Sequence, residues 1–375
     1  MRALVVGGGI GGLAAGIALR RVGVDVVVLE QAPRLEAVGA GLALAANAVQ
    51  ALERLGVANA VRARGERTER LQALKPDGAT IVDLPLAGGE MLGVHRADLQ
   101  EVLAGELGAA LRLGVACTGF TDDGDRVVVE GSDGETRAAD VLVGADGVRS
   151  KTRAWLLTDG PPSYAGYTGW RAVTRLEHPS PRGRMTETWG RGVRFGLIPI
   201  GAGRLYWFVS ETRAEPDAPL VPGRKEELAR LVAGWHGPIE PVVDATPESA
   251  ITGTGIYWRQ PSPTWGRGLV TLLGDAVHPM TPDLSQGAAQ ALEDAVVLAA
   301  SVRDADDAVT GLRSYEAARR KRAAQIVRRS YAAGRLAQSS SALGTRARDL
   351  LMGSLPDRLH GIQQRRIVDV ELPPL

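Results

Sequence analysis

The chain has 375 residues, and its 44 basic and 43 acidic side chains leave a formal net charge of +1. This balance argues against a broad surface for nucleic acid or another polyanion. The single cysteine excludes an internal disulfide, the five histidines are scattered, and every apolar run is interrupted by glycine or a charged residue. We therefore expect a cytoplasmic protein without a structural metal or a membrane span, long enough to form two domains.

The N-terminal segment VVGGGIGGLAAGIALRRVGVDVVVLE, residues 5–30, has the pattern of a dinucleotide-binding turn rather than of an export signal. Its predicted order is strand, glycine-rich turn, helix, strand and terminal acid. Gly7 allows a sharp turn off the first strand, Gly9 lets a pyrophosphate approach the backbone, and Gly12 lets helix and strand pack closely. Glu30 is placed to accept hydrogen bonds from a ribose, which favours FAD or NAD over NADP.

Between residues 31 and 160 the sequence predicts short helices and hairpins. LQALKPDGATIVDLPL alternates apolar and polar residues around an Asp-Gly turn, which predicts a β-hairpin. A helix begins near Arg96, where leucine and valine recur at helical spacing, and ends at Gly108. A second hairpin turns at another Asp-Gly pair, and the apolar strand of residues 141–143 follows it.

From about residue 161 to residue 260 the composition changes to prolines, tryptophans and short β-rich runs. GYTGWRAVT, RMTETWG, VRFGLIPI and RLYWFVSE are predicted to be successive strands of an antiparallel sheet. At Gly268 the earlier pattern resumes with an apolar strand, and a long helix begins near Gly287. Residues 315–351 are helical in pattern, whereas the last residues look irregular. The predicted fold class is α/β, with an inserted β-sheet domain and a helical tail.

Two further segments place a carboxylate just beyond a buried strand, where open α/β sheets bind ligands. DVLVGADGVRS contains Asp146, and LLGDAVHPMTPDLSQGAAQALEDA contains Asp275. The second segment continues to a helix whose positive end, at Gly287, can stabilise negative charge. Each segment alone also fits an ordinary turn, but together with the N-terminal motif they predict one cofactor site.

Some conspicuous residues are expected to be structural. His278 is expected to hold its loop through a hydrogen bond. Trp170, Trp189 and Trp207 are expected to fill the core between sheet and helices. The basic run RSYEAARRKRAAQIVRR is expected to form a helix with a solvated basic face, because the total charge is balanced.

With these motifs in this order, the chain resembles the single-component flavoprotein monooxygenases related to p-hydroxybenzoate hydroxylase. The resemblance runs from Arg2 to about Arg335. It implies a Rossmann-like FAD-binding domain in three pieces, an inserted, mainly antiparallel β-sheet substrate domain in two, and a C-terminal helical segment. The FAD-binding domain would comprise residues 1–75, 92–160 and 262–300. The substrate domain would comprise residues 76–91 and 161–261, and the C-terminal helical segment residues 301–375.

The same resemblance implies roles for residues on the cofactor side. Glu30 would bind the adenosine ribose, beside the glycine turn that approaches the pyrophosphate. Arg96 and Asp146 would lie near that pyrophosphate. Asp275 would bind the ribityl chain of FAD.

One predicted cofactor loop departs from the family. By resemblance, Pro282 and the turn formed by Gln286 and Gly287 would face the isoalloxazine ring. Where the family usually has Gly-Gln-Gly, this chain has Ser285, Gln286 and Gly287. Serine in place of glycine at position 285 is expected to affect the backbone conformation of the loop that would face the flavin.

Three residues are candidates for contact with a substrate. By resemblance, flavin-dependent urate hydroxylases have residues of the same types as Arg194, Tyr206 and Asp283 at the matching motif positions. A guanidinium could hold an anionic substrate, and a carboxylate beside Pro282 could orient or deprotonate it. The structural alternative is that these residues are, respectively, a solvated strand residue, an aromatic at the core edge and a turn residue.

The chemistry implied by the resemblance requires no metal, nucleophile or triad, because the cofactor performs the oxidation. In such enzymes NAD(P)H reduces FAD, and dioxygen then forms a flavin C4a-hydroperoxide that hydroxylates an aromatic or heteroaromatic small molecule. The expected partners are the aromatic substrate, O2 and NAD(P)H, and the expected assembly is a monomer or homodimer.

Several alternatives stay open at this point. Urate-hydroxylase-like and epoxidase activities use the same fold. A flavin-dependent halogenase is less favoured, because FGLIPI lacks the tryptophans of the WxWxIP signature. A non-enzymatic Rossmann-type ligand-binding scaffold is disfavoured by the complete set of motif glycines and carboxylates.

Overall fold

The computed structural model of the protein describes residues 1–35, 40–176, 183–216 and 224–375. In these residues the strands are β1 (Arg2–Val6), β2 (Asp25–Glu30), β3 (Gly41–Ala45), β4 (Glu66–Thr68), β5 (Arg70–Leu74), β6 (Thr80–Pro85), β7 (Met91–His95), β8 (Leu111–Leu113), β9 (Cys117–Asp122), β10 (Val127–Gly131), β11 (Thr136–Ala139), β12 (Val141–Gly144), β13 (Ser163–Thr174), β14 (Arg184–Trp189), β15 (Val193–Pro199), β16 (Leu205–Thr212), β17 (Thr252–Trp258), β18 (Gly266–Arg267) and β19 (Val270–Leu272). The helices are α1 (Ile10–Arg21), α2 (Ala46–Arg54), α3 (Ala58–Arg62), α4 (Arg96–Leu107), α5 (Lys151–Leu157), α6 (Lys225–Leu231), α7 (Ile239–Ala245), α8 (Gly287–Arg303), α9 (Ala308–Ala337), α10 (Ala342–Ser354) and α11 (Asp357–Val368).

A six-stranded sheet, in the order β18-β19-β12-β1-β2-β8, forms the first layer. Its strands run parallel except for the short edge strand β18. Residues 3–6 of β1 are all buried, as expected for a parallel strand covered on both faces. The helix α1 follows β1 directly and packs against α8. This is the Rossmann-like arrangement that the N-terminal motif predicts.

The turn between β1 and α1 accommodates only glycine at two positions. A Cβ built on Gly12 would lie 1.8 Å from the Gly7 carbonyl oxygen. Gly7 itself has a φ of +110°, in the left-handed region that favours glycine, and its Cβ would lie 2.4 Å from the Ala145 oxygen. These close approaches bring the start of α1 and the end of β12 against the end of β1.

A seven-stranded sheet, in the order β17-β13-β16-β15-β14-β5-β6, forms a second layer. Side chains alternate between its two faces. One face carries Trp170, Phe195 and Trp207 and packs against α6 and α7, with the last two rings stacked at 5.5 Å. The opposite face carries Tyr206 and Phe208 and lines a cavity. Two of the three tryptophans expected to fill the core, Trp170 and Trp207, lie in it.

The structure corrects three details of the prediction. The boundary at residue 75 divides the antiparallel pair β5 and β6, and β5 also pairs with β14, so the seven-stranded sheet begins at residue 70. The strand β13 lies next to β16 and not next to β14. The chain end, predicted to be irregular, contains α11, which has Asp357 in its first turn and two arginines in its last. The remaining domain division stays a prediction.

The C-terminal helices join both layers of the molecule. The 30-residue helix α9 packs along α8, and α10 and α11 pack against β6. The described ranges contain no helix that combines the length and the apolar character required to cross a bilayer.

We expect Gly12→Ala to lower the free energy of unfolding by about 3 kcal/mol or more, because the new Cβ overlaps a backbone oxygen that cannot move away. Gly9→Ala is the matched control, since a Cβ there meets no atom within 4 Å; its effect should stay within about 1 kcal/mol. Urea unfolding of the cofactor-free proteins, followed by circular dichroism, measures both values. Equal stability of the two variants would contradict the close contact.

Candidate active site

A cavity of about 420 Å³ lies where β1, β2 and β12 end. Gly9 lines it, and the open space at its Cβ position leaves the backbone at the start of α1 accessible to a ligand. The positive end of the helix favours a phosphate there. Glu30, at the end of β2, accepts hydrogen bonds from the backbone nitrogens of Gly8 (2.6 Å) and Ala32 (2.8 Å), which fixes its carboxylate at the cavity edge.

Asp146 lines the same cavity and also has a structural task. Its carboxylate accepts hydrogen bonds from the Ser150 hydroxyl (2.5 Å) and the Thr152 backbone nitrogen (3.0 Å). These bonds fix the start of α5. The structure thus brings Asp146 to the motif glycines, and its place beside a pyrophosphate stays a prediction.

A second cavity, of about 330 Å³, separates the cofactor-side loops from the seven-stranded sheet. Arg96, Asp275, Pro282 and Gly287 line one side of it. The Asp275 carboxylate opens into this space and hydrogen-bonds to none of the described residues. The surrounding protein raises the pKa of Asp275, and the nearby His278 and Arg96 oppose that rise. Burial lowers the pKa of Arg96, which likewise has no hydrogen-bonding partner for its guanidinium in the described ranges.

The loop before α8 borders the second cavity. Ser285 adopts the left-handed conformation, with a φ of +53°, which explains why glycine is favoured at this position. The Gln286 side chain is buried and accepts hydrogen bonds from Asn47 Nδ2 (2.8 Å) and Gln290 Nε2 (3.1 Å). Gln286 does not line the second cavity, whereas Ser285 and Gly287 do. Contact of the Gln286 and Gly287 turn with a flavin ring stays a prediction.

A buried ionic network holds this loop from beneath. Arg319 of α9 donates to Glu293 (2.5 Å) and Asp294 (2.7 Å) of α8. His278 Nε2 lies 2.6 Å from Asp294 Oδ2, which is the hydrogen bond expected of that histidine. Burial alone would raise the pKa of Asp294, but His278 and Arg319 outweigh it and lower the pKa. The basic run predicted to be solvated therefore contains one arginine that is only 2% exposed.

Arg194 and Asp283 meet in a buried cluster beside the second cavity. Arg194 donates through Nη2 to Asp283 Oδ1 (2.5 Å), through Nη1 to Glu187 (2.9 Å) and through Nε to Gln338 (3.1 Å). The Tyr167 hydroxyl donates to Asp283 Oδ2 at 2.7 Å. Burial raises the pKa of Glu187, against the opposing charge of Arg194. All three nitrogens of Arg194 thus have acceptors within the protein, and its side chain is only 4% exposed.

Tyr206 faces the same cavity from β16. Its ring lies 6.1 Å from that of Phe208, and a Cβ on Gly41 would lie 2.4 Å from the Tyr206 Cβ, so β3 approaches it closely. Burial raises the pKa of Tyr206, while the positive charge of Arg171 lowers it. The structure therefore brings Arg194, Tyr206 and Asp283 to one cavity.

Three residues around this cavity, Tyr167, Arg171 and Glu187, were not predicted from the sequence. Arg171 and Glu187 line the cavity directly, and Tyr167 reaches it through Asp283. Arg171 alternates with Trp170 and Ala172 in β13, and Glu187 alternates with its neighbours in β14. That two-residue period was the available signal.

The two cavities together match the chemistry of flavin adenine dinucleotide. The first offers an accessible helix N-terminus for a pyrophosphate and Glu30 for a ribose. The second offers the Asp275 carboxylate, which has no hydrogen bond within the described residues, as an acceptor for hydroxyl groups next to the positive charge of Arg96. A Rossmann-like sheet carrying such a site, with a second sheet across the cavity, defines a flavin-dependent oxidoreductase.

Comparison with known proteins gives the family. A family model described as an FAD binding domain matches residues 1–330. The chain is 41% identical to an aurachin C monooxygenase/isomerase of Stigmatella aurantiaca over 97% of each chain. It is 34% identical to an FAD-dependent urate hydroxylase of Klebsiella pneumoniae, covering 87% of this chain and 88% of the relative. The crystal structure of a Klebsiella pneumoniae protein with FAD and uric acid is similar, with a TM-score of 0.91, 29% identity and coverage of 98% and 96%.

The chain therefore belongs to the FAD-binding domain family, and it is an FAD-dependent aromatic monooxygenase. The fold of a salicylate hydroxylase in complex with its substrate is similar as well, with a TM-score of 0.79, 23% identity and coverage of 100% and 99%.

We expect Asp275→Ala to weaken FAD binding at least tenfold, because a charge-assisted hydrogen bond contributes about 1.5–3 kcal/mol. Asp275→Asn should lose less, since its amide oxygen still accepts a hydrogen bond. Asp304→Ala, at the end of α8 on the surface, is the control. Flavin fluorescence during titration of the cofactor-free proteins gives the dissociation constants. Unchanged affinity in Asp275→Ala would remove this carboxylate from the cofactor site.

We expect Ser285→Gly to raise the free energy of unfolding of the FAD-loaded protein by about 0.5–1 kcal/mol. The left-handed conformation costs a residue with a Cβ about 1–2 kcal/mol, and the greater freedom of glycine in the unfolded chain offsets part of that gain. Ser285→Ala keeps the strain and removes only the hydroxyl, so it should show no gain. Denaturant unfolding measures both variants, and equal stabilities would show that the loop is not strained.

Proposed function

We propose that this enzyme transfers one oxygen atom from O2 to an electron-rich aromatic or heteroaromatic small molecule, with NADH or NADPH as electron donor. When bound, FAD supplies the redox chemistry and the activation of oxygen. The observation that carries the proposal is the second cavity, around which Asp275 and Pro282 lie on one side and Tyr206 and Phe208 on the other. Aromatic and aliphatic linings with few polar groups suit a planar ligand.

The sheet side of the cavity supports the exclusion of water. Met185, Ile198, Phe208 and Ile256 line it from four different strands. Their apolar side chains leave bulk water few favourable positions near a bound substrate. Such exclusion protects a reactive oxygen donor from wasteful breakdown.

Asp283 is the candidate base. Its side chain is 1% exposed, and its two oxygens already accept hydrogen bonds from Arg194 and Tyr167. Residue Asp283 lines the cavity. To act as the base, it would accept the proton of a ring hydroxyl or ring N–H through a lone pair that Arg194 and Tyr167 do not use. Loss of that proton makes an aromatic ring more electron-rich and therefore more reactive toward an electrophilic oxygen.

Urate is a narrower candidate within this class. Arg194, Tyr206 and Asp283 converge at one cavity. By the resemblance stated above, urate hydroxylases would have the same residue types at the matching motif positions. The Klebsiella pneumoniae relative named as a urate hydroxylase supports the same reading. The relative named as an aurachin C monooxygenase/isomerase shares more residues with this chain, so hydroxylation and epoxidation of other heteroaromatic rings remain within the proposal.

The proposed setting of the enzyme is the cytoplasm, as a monomer or homodimer. The single cysteine, Cys117, is buried and unpaired, which fits a compartment where disulfides are not used for stability.

The decisive experiment is an anaerobic spectrum of the purified yellow protein with NADPH or NADH, with and without a panel of phenolic and purine acids. We expect one nicotinamide to bleach the flavin, and a matching ligand to accelerate the bleaching. Readmission of 18O-labelled O2 should then place one labelled atom in the product, as measured by mass spectrometry. Reduction without incorporation of label into any panel member would contradict the proposed reaction.

A further inference from the structure

A second guanidinium faces the cavity, apart from the Arg194 cluster. Arg171 lies on β13 directly opposite Phe208 of β16. Its neighbours Trp170 and Ala172 belong to the core on the far side of the sheet, so Arg171 projects from the cavity side together with Tyr206 and Phe208.

The Arg171 guanidinium has no partner in the described parts of the chain. It is partly buried, and none of its nitrogens makes a hydrogen bond or an ion pair there. Its positive charge adds to the effect of burial in lowering the pKa of Arg96 across the same cavity. Two cations therefore face one space, and the carboxylates of Asp275 and Glu30 oppose the lowering of the Arg96 pKa.

Arg194, the arginine singled out from the sequence, is in the opposite situation. Glu187, Asp283 and Gln338 already accept from its three nitrogens. Two carboxylates around one guanidinium leave this cluster without excess positive charge. An anion arriving there would have to displace a buried ion pair, whereas Arg171 forms no ion pair with any residue that the structure describes.

We propose that Arg171 recognises an anionic group on the aromatic substrate, either a carboxylate or the ionised oxygen and nitrogen edge of a heteroaromatic ring. The inference rests on the proposed function and names the substrate class of the same cavity. A guanidinium presents parallel N–H groups that match such two-atom acceptors. The Tyr206 hydroxyl is a second donor, since burial holds its pKa above the usual value and so keeps it protonated.

This assignment divides the cavity between two tasks. Arg171 and Tyr206 would fix the charged edge of the ring from the sheet side. Asp283, on the loop before α8, would face the site of proton removal. The positions of the Arg171 and Tyr206 pair and of Asp283 on opposite sides of the cavity would then determine which ring carbon is presented for oxygenation.

The test compares anions with neutral molecules of similar shape on the FAD-loaded protein. Benzoate is compared with benzamide, and urate, an anion at neutral pH, with neutral hypoxanthine. Isothermal calorimetry gives the dissociation constants, and perturbation of the flavin absorbance shows that the probe binds beside the cofactor. Variants are Arg171→Gln, which removes the charge, and Arg171→Lys, which keeps it. Arg175→Gln, exposed just beyond the end of β13, is the matched control.

In the wild type, the anion of at least one pair should bind at least tenfold more tightly than its neutral counterpart. Arg171→Gln should abolish that preference, Arg171→Lys should restore part of it, and Arg175→Gln should keep it in full. Flavin content should be equal in all four proteins, because the proposed contact is with the substrate.

Three results would overturn the inference. They are the same anion preference in Arg171→Gln as in the wild type, no preference for the anion of either pair in the wild type, and loss of FAD from Arg171→Gln, which would assign the arginine to the cofactor. Failure of the proposed function looks different, because then the FAD-loaded wild type incorporates no labelled oxygen whichever probe it binds.

Discussion

The cofactor side of the molecule depends on the ion pairs that the buried guanidinium of Arg319 forms. It joins Glu293 and Asp294 of α8 to the long helix α9, and Asp294 in turn binds His278 in the loop after β19. Breaking such a buried pair leaves a charge without its partner and costs about 3–5 kcal/mol. The start of α8 and the strand-end loop carrying Asp275 are therefore fixed relative to each other before any ligand binds.

Local sequence rules predicted the parts of the fold that a few neighbouring residues determine. Gly7 and Gly12 are required by backbone contacts within one turn, and the Asp-Gly turns and the helix from Arg96 follow from short patterns. The pairing of β5 with β14 was missed because it joins segments far apart in the chain, and no local signal records such a pairing. The helix α11 was missed because its sequence, DRLHGIQQRRIV, contains few apolar residues.

In the candidate site, too, local motifs predicted some residues, whereas contacts between distant segments could not be predicted. Motif order was sufficient to bring Glu30, Asp146 and Asp275 to the ends of neighbouring strands. It could not show that Arg194 would already be occupied, because its partners come from β14, from the loop before α8 and from the end of α9. Nor could it single out Arg171, because alternation along β13 sorts its residues into two faces without showing which face meets the cavity.

The two-faced sheet also bears on how such an enzyme can diverge. On β15 and β16, cavity-lining positions such as Tyr206 and Phe208 alternate with positions such as Trp207 and Val209, which belong to the core packed against α6 and α7. Substitutions at the first set change what the ring of a ligand meets, while the interleaved residues keep the hydrophobic core intact. Because the two sets are interleaved but point in opposite directions, a lineage can acquire a new substrate by a few exchanges without first losing its fold.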